Sequence, residues 1–449
     1  MHSLNFPAAR MIPLSRCLGA SALIMLAGCK SLLEVENPNN VSESALDVPA
    51  AAPAIVAGAE NIAANGLSSL YNAAIPASDE AFWVGSRDDY RLLDTGGFDA
   101  VANEYVQSGY IIMSKARWMS NQAITKVSGF NTAGQLLDKQ LLVRAYLNAA
   151  VVYTAIGDGY NDVAFSDRTV AGPNLGEANM VQVYDSALKW LDAAIPLATG
   201  SNKAAVLGMH ARVRHAKGVW LKLNPKGTTP ANPLVADAAM LSDAQAALAV
   251  MSGDYRYDAV TTDLNVGDGS GGGFGFEMNS RVEYTTSKDL ANIDPNSGKP
   301  KGIIAKDPVT GLVDAAAVTQ INRVINASSI NNPPMTQVSK REMYLLVAEG
   351  SLATGDNAGF DTAINSLRAL DGKAPYTGAG PTRLALLQWE RRINLIFAGR
   401  RLQDMYRFGV KDQYWLATNI AVRKPGCFFA IPQIEIDSNS KLTGTTACK

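Results

Sequence analysis

The densest group of side chains able to do chemistry lies between residues 79 and 118. Asp79, Glu80, Phe82, Trp83, Arg87, Asp88, Tyr90 and Arg91 interleave flat rings with charged groups, and Phe98, Tyr105 and Tyr110 follow. Rings offer faces for stacking, and carboxylates and guanidinium groups beside them make planar hydrogen bonds, which is what a sugar ring or a peptide requires of a binding surface. Trp83, Arg87 and Tyr90, with Asp79 next to them, are the contacts this cluster nominates. Asn279 and Tyr284, in a later stretch of similar character, are weaker partners. The same rings can also fill a core, and at this point Phe82 and Trp83 admit both readings.

The other reactive groups do not assemble into a catalytic or metal centre. His210 and His215 lie five residues apart, which on a helix turns them about 140° from each other. That is wrong for a shared metal or for a base with its orienting partner, and both read as histidines on the surface or flank of a helix. Gly267 to Gly275 has the glycine spacing of a phosphate loop, but no strand precedes it and no Lys or helix start follows it, so it reads as a flexible loop. Asp263 to Asp268 faintly resembles a calcium loop with its spacing slipped by one and no bidentate Glu. Asp88 and Asp89 would be the carboxylates of a glycoside hydrolase, yet adjacent residues point apart. No metal and no cofactor is expected.

The N-terminus carries its own chemistry. Arg10 and Arg16 precede an apolar run from Cys17 to Leu26 that is too short to span a bilayer, and Ala27-Gly28-Cys29 follows. Residues 1–28 read as a lipoprotein export signal that is removed, leaving Cys29 to carry acyl chains and hold the protein on a membrane. With Arg10 and Arg16 gone, the mature chain has 38 basic against 41 acidic residues, a net charge of −3 and no nucleic-acid footprint. Beyond Cys17 and Cys29 the only cysteines are Cys427 and Cys448, and in an oxidising compartment they are expected to pair.

The elements that must position these groups are mainly helices in pairs. Apolar residues recur at helical spacing at Leu137, Leu141, Ala145, Ala149 and Val152, then at Val181, Tyr184, Leu188, Leu191 and Ile195. Met209, Val213, Ala216, Trp220 and Leu223 make a third stripe, and the alanine-rich run 236–250 a fourth helix. Ser339-Lys-Arg-Glu342 is a capping box opening a helix that stops at Gly355, and another follows from Phe360 to Leu370 with Ile364 and Leu367 inward. Units of this size suggest tetratricopeptide repeats, without a clean consensus. Residues 71–118 and 253–335 break the pattern, both rich in Gly, Asn, Asp, Pro and aromatics, and the second reads as long ordered loops with a short hairpin near Arg281 to Thr286. Arg391, Arg392, Arg400, Arg401 and Arg407, with Glu390 and Asp404 among them, read as a salt-bridged structural helix.

That last segment carries a family resemblance. Trp389-Glu-Arg-Arg-Ile-Asn-Leu-Ile-Phe-Ala-Gly-Arg-Arg-Leu-Gln-Asp-Met-Tyr-Arg-Phe-Gly409 is similar to the signature helix of the SusD/RagB family of outer-membrane nutrient-binding lipoproteins, with Asn394 and Ala398 where the family usually has acids. Leu33 to Pro38 resembles the family's tether, Arg144 to Asp158 its first repeat helix and turn, and Tyr184 to Ala194 and Arg341 to Glu349 later repeat helices. Ile431 to Ile436 resembles its near-terminal segment.

The resemblance implies a mostly α fold: a tetratricopeptide-like scaffold of four helix pairs carrying a large irregular, loop-rich lobe, and no catalytic activity. After the signal, residues 29–449 would be one such domain. It would comprise a lipidated tether (29–50), an N-terminal helix and irregular segment (51–130), first repeat pairs (131–252), the lobe (253–335) and last repeats with the C-terminal segment (336–449). The family captures an oligosaccharide, or in some branches a peptide, and passes it to a SusC-like TonB-dependent transporter at the outer membrane. The ligand face is implied to lie partly on residues 79–118, and no family ligand motif carries over to single residues. A surface hydrolase and a lipid-anchored scaffold that binds only protein are the readings from other classes. Replacing Cys29→Ala should release the protein from membranes, and a variant that still sediments with the outer membrane after a high-salt wash would exclude anchoring through that thiol.

Overall fold

The computed structural model describes residues 43–167, 169–262, 273–325, 331–443 and 448. Cys29, its tether and the Asp263–Asp268 segment lie outside them, as do Gly267 to Gly272. The chain divides into residues 1–48, of which a 3-10 turn Glu43–Leu46 is described, and residues 49–449, which hold every other element.

In chain order the described helices of six residues or more are α1 (Ala52–Ala74), α2 (Asp88–Asp94), α3 (Glu104–Thr132), α4 (Lys139–Gly159), α5 (Val181–Ala194), α6 (Gly200–Leu223) and α7 (Ala238–Val250). After a loop-rich stretch come α8 (Ala315–Asn322), α9 (Lys340–Ala353), α10 (Asn357–Ala369), α11 (Arg383–Asn394), α12 (Arg401–Phe408) and α13 (Gln433–Ser438). Six short strands are interspersed: β1 (Ala81–Trp83), β2 (Arg256–Ala259), β3 (Tyr284–Thr286), β4 (Ala291–Ile293), β5 (Pro300–Ile303) and β6 (Met335–Ser339).

Four helix pairs make the scaffold: α1 with α3, α4 with α5, α6 with α7, and α9 with α10. Successive pairs stack through α3 on α4, α5 on α6 and α7 on α9. α4 lies against α1, α3, α5 and α6, which is why it is apolar nearly all round rather than striped. Each fully buried Leu or Val in these seams contributes about 1.5–3 kcal/mol.

Side-chain caps fix where the helices start. Asn103, Asp138, Asp237 and Asp356 accept the first N–H groups of α3, α4, α7 and α10, each worth about 1 kcal/mol. Because Asp138 is the cap, α4 begins at Lys139 and Leu137, expected on its apolar stripe, is fully exposed. The capping box at Ser339 is half realised: its Oγ accepts the Glu342 N–H at 3.1 Å, but the Glu342 carboxylate turns to Arg400 instead of back to the cap. Gly355, at φ +80°, follows the end of α9.

The irregular stretches are smaller than the sequence suggested. α1 runs to Ala74 and α3 starts at Glu104, so the first reduces to residues 75–103 inside the first helix pair. In the second, no local hairpin forms at 281–286. Instead β3 pairs antiparallel with β1, Ala81 opposite Thr286 and Trp83 opposite Tyr284, while β4 and β5 form the local hairpin. Val282, left-handed at φ 57°, ends a π-turn (Glu277–Arg281) and redirects the chain toward β1.

The segment 389–409, expected as one helix, is two. Phe397 (φ 58°) and Gly399 (φ 71°) reverse the chain between α11 and α12. The Phe397 N–H, freed from any helix, donates to Glu80 Oε1 at 2.9 Å. All five arginines find carboxylates or carbonyls. Arg391 and Arg407 each donate through Nε to Asp404 at 2.8 Å, and Arg407 also clasps Glu349. Arg400 pairs with Glu342, Arg401 with Asp79, and Arg392 with Asp289 and Asp79. Asn394 bonds Glu390 and accepts from Arg341 at 2.8 Å, filling its interior position without a charge.

The two histidines are not on the surface. His215 is buried against Glu349 at 3.0 Å, and His210 sits between Asp243 (2.7 Å) and Asp192 (3.2 Å). Their acidic partners come from other helices, a feature the local sequence does not carry. Among the described residues no group of three or more His, Cys, Asp or Glu is placed to hold a metal, and no helix is long and apolar enough to cross a membrane. A disulfide joins Cys427 and Cys448, with Cα atoms 6.0 Å apart.

Burial works to raise the Glu349 carboxyl, yet Arg407, His215 and Arg391 together hold it well below its ordinary value of 4.5. Asp404 is likewise buried and held low by Arg391 and Arg407. A depressed folded-state pKa contributes stability above the unfolded value that is lost as pH falls through the carboxylate range. Glu349→Gln, which leaves two interior guanidinium groups short of a counter-charge, should cost about 3–5 kcal/mol at neutral pH. Urea midpoints measured from pH 7 downward should show that loss and a shallower acid dependence than the parent. A midpoint within error of the parent at pH 7 would show that the network is not needed for stability.

Candidate ligand-binding site

The pairing of β1 with β3 brings residues 79–91 and 277–286 together from opposite ends of the sequence. Beyond Trp83 the chain wraps around Glu283. Val84 and Gly85 donate to its carbonyl at 3.0 and 2.9 Å, and Ser86 and Arg87 donate to its carboxylate Oε2 at 2.8 and 3.0 Å. The wrap needs a glycine: a Cβ on residue 85 would sit 2.6 Å from Glu283 Cα. Four backbone bonds to one residue make this a fixed turn rather than a mobile loop. It presents Arg87, whose guanidinium donates to the Tyr105 hydroxyl at 2.8 Å and lies 3.7 Å from Glu104.

Behind the turn is an aromatic core. Tyr90 stacks on Tyr105 with ring centroids 3.6 Å apart and tilts against Tyr284 at 5.0 Å. Both Tyr90 and Tyr284 are completely buried and donate to one acceptor, Asn72 Oδ1, at 3.0 and 2.8 Å. Burial pushes both hydroxyls well above the usual tyrosine range, so they serve as neutral donors. Asn279 is also fully buried, with its Nδ2 donating to the Val324 carbonyl at 2.8 Å.

These placements correct part of the sequence reading. Tyr90, Tyr284 and Asn279 lie in the interior and are not on the surface. Asp79 is held by Arg401 in a bidentate pair, 2.5 and 2.7 Å, with Arg392 at 3.5 Å. Phe82 is core, stacked on Tyr414. Of the nominated residues, Trp83, Arg87 and Asp79 remain partly exposed, and the Asp79 carboxylate is taken up by its arginines. Trp83 is divided, since it packs on the core and its indole N–H is buried with no acceptor. Two residues the sequence did not nominate organise the site, Asn72 and Glu283. Neither lies in an aromatic-rich run, and their partners are up to about two hundred residues away.

Two carboxyls around this turn carry raised pKa values. Burial pushes Glu80 up to about 8, against the Phe397 N–H and Arg401, and pushes Asp94, which accepts the Trp83 backbone N–H, to about 7. Asp88 and Asp89, the imagined hydrolytic pair, have separate local tasks: Asp88 pairs with Arg91 at 3.0 Å, and Asp89 accepts the Glu104 N–H at 2.7 Å where α3 begins.

A stack of helix pairs whose loops are pinned into one lobe is an architecture known in solved structures. A SusD superfamily protein from Bacteroides thetaiotaomicron VPI-5482 matches it with a TM-score of 0.59 at 14% identity, over 88% of this chain and 99% of its own. A SusD superfamily protein from Bacteroides fragilis gives the same values. A candidate sugar-binding protein from Bacteroides vulgatus ATCC 8482 matches at 0.60 and 15%, over 88% of this chain and 98% of its own. At such identities the likeness is one of fold. In sequence, residues 341–424 match the model of the SusD family, and no curated protein matches the chain. The protein is SusD/RagB-like, mostly α, with the fold of that superfamily.

Trp83→Ala separates the two roles this ring could have. With its N–H inside and one face against the core, truncation should destabilise by about 2–4 kcal/mol, short of the 3–5 kcal/mol typical of a wholly buried aromatic. Any binding contribution should add about 1–3 kcal/mol measured on the folded fraction. Full stability loss with unchanged affinity would move the ligand surface away from this strand.

Proposed function

We propose that this protein is a lipid-anchored, non-enzymatic binding protein of the outer membrane. It captures an oligomeric nutrient, foremost a glycan, and hands it to a SusC-like TonB-dependent transporter. The observation that carries the reading is where the SusD-family match falls. Residues 341–424 are the segment whose buried arginines tie the last repeat to Asp79 at the root of the binding turn. The candidate sugar-binding protein of the same fold supports a glycan over a peptide.

In this reading Trp83 and Arg87 are the ligand contacts. Asp79, Tyr90, Asn279 and Tyr284 are the support behind them, and Glu104 beside Arg87 gives the surface both signs of charge. The turn is already pinned by Glu283, so a ligand pays little ordering cost there.

The test is a thermal-shift screen of the mature protein against soluble oligosaccharides and, in parallel, oligopeptides. A saturating glycan at one hundred times its Kd should stabilise the fold by about 2.7 kcal/mol, and Arg87→Ala should weaken that ligand by about tenfold or more. Stabilisation by peptides alone would reassign the ligand, product formation would make it an enzyme, and no response to either would leave a protein-binding scaffold.

A further inference from the structure

A cavity of about 340 Å³ opens between the middle of α3, the segment 164–167 and α13. Two other voids among the described residues, of about 20 and 30 Å³, have room for a water. This one falls in the range of about 300–1,000 Å³ that holds small ligands. Its walls include Lys115, Arg117, Trp118, Ser166, Asp167 and Glu435.

The three walls are bonded to one another rather than merely adjacent. The Trp118 indole N–H donates to Asp167 Oδ1 at 2.6 Å. Arg117, itself buried, donates to the Ser166 carbonyl and lies 4.9 Å above the Phe165 ring. Asn439, just past α13, donates to the Gly172 carbonyl at 2.9 Å and to Glu435 Oε1 at 2.7 Å. The pocket is therefore shaped before any ligand arrives, which lowers the ordering cost of binding.

Its chemistry selects a class. Among the described residues the lining carries two cations and two carboxylates, so their charges balance. The Arg117 guanidinium donates to the Ser166 carbonyl and lies over the Phe165 ring, while its Nε is buried with no partner. The cavity is also lined by the Trp118 indole, held through its N–H, the Lys115 ammonium and the Glu435 carboxylate. A flat ring surface in one cavity with a donor and an acceptor suits a ring whose apolar face stacks and whose hydroxyls both give and take hydrogen bonds.

We propose that this cavity is a second binding site, taking one uncharged, polyhydroxylated ring of hexose size stacked on Trp118 and hydrogen-bonded by Lys115 and Glu435. It uses neither Trp83 nor Arg87 and stands whether or not those residues bind ligand.

Protein labelled with fluorotryptophan, its Trp118 resonance assigned by Trp118→Phe, tests this by titration with methyl glucoside, methyl galactoside and methyl mannoside, and with glucuronate and glucosamine. At least one methyl hexoside should shift the Trp118 resonance saturably, with the charged sugars binding no tighter. Glu435→Ala, on a short surface helix, should weaken that hexoside by about tenfold or more, and Arg87→Ala should leave its affinity unchanged. No shift with any hexoside, tighter binding of either charged sugar, or parental affinity in Glu435→Ala overturns the site. So does loss of the shift in Arg87→Ala, which would place the ring at the Trp83 turn instead.

Discussion

An interior guanidinium cannot be left without a counter-charge, and the segment from Arg391 to Arg407 places five of them inside or at the edge of the core. Breaking one buried pair costs several kcal/mol because it strands a charge away from water. So α11 and α12 can sit only where Glu349, Glu342, Asp404 and Asp79 meet them at once. Those carboxylates come from α9, from α12 itself and from the loop after α1, while His215 on α6 completes the Glu349 end. One short stretch thereby fixes the third and fourth helix pairs and the root of the first loop in a single register.

The candidate turn inherits its position from that constraint. Arg401 and Arg392 hold Asp79, the adjacent Glu80 accepts the N–H of the left-handed Phe397, and β1 begins at the next residue. A non-glycine residue in that conformation stores about 1–3 kcal/mol, tolerated where the surroundings overdetermine it. Glu80 supplies the overdetermination as a carboxyl that burial keeps protonated at neutral pH, so it accepts the bond without adding a charge beside Asp79. From there the strand pairing and the grip on Glu283 carry the same rigidity out to Arg87.

Local physics was legible in the sequence, and long-range placement was not. Periodicity located the helices around Tyr184, Met209 and Phe360, and Ser339 and Gly355 marked the ends of α9, because each signal depends on residues within one or two turns. The family signature gave the fold through residues 389–409. The aromatic cluster misled: Trp83, Tyr90 and Tyr284 are alike in composition, and what sorts them is Asn72, an acceptor with no mark in its own neighbourhood. Two histidines read as superficial because Asp243 and Glu349 arrive from other helices. The break inside 389–409 was invisible, since it depends on Glu80 more than three hundred residues earlier. Trp118 fell within the cluster's range, but its cavity exists only once α3, residues 164–167 and α13 converge.

The geometry of α3 sets how the two proposed surfaces relate. Tyr105, which bonds Arg87, and Trp118, which lines the cavity, are thirteen residues apart on this one helix, about 20 Å along its axis and about 140° around it. No single sugar ring touches both, and sites so separated, sharing no partner, contribute independently to affinity. Only an extended or branched chain that turns around the helix could engage them together. The second contact would then be intramolecular and could raise avidity far above either site alone. If both proposed surfaces bind, a scaffold that holds them on one rigid helix would favour long, flexible polymers over short fragments, because only a polymer gains the intramolecular second contact.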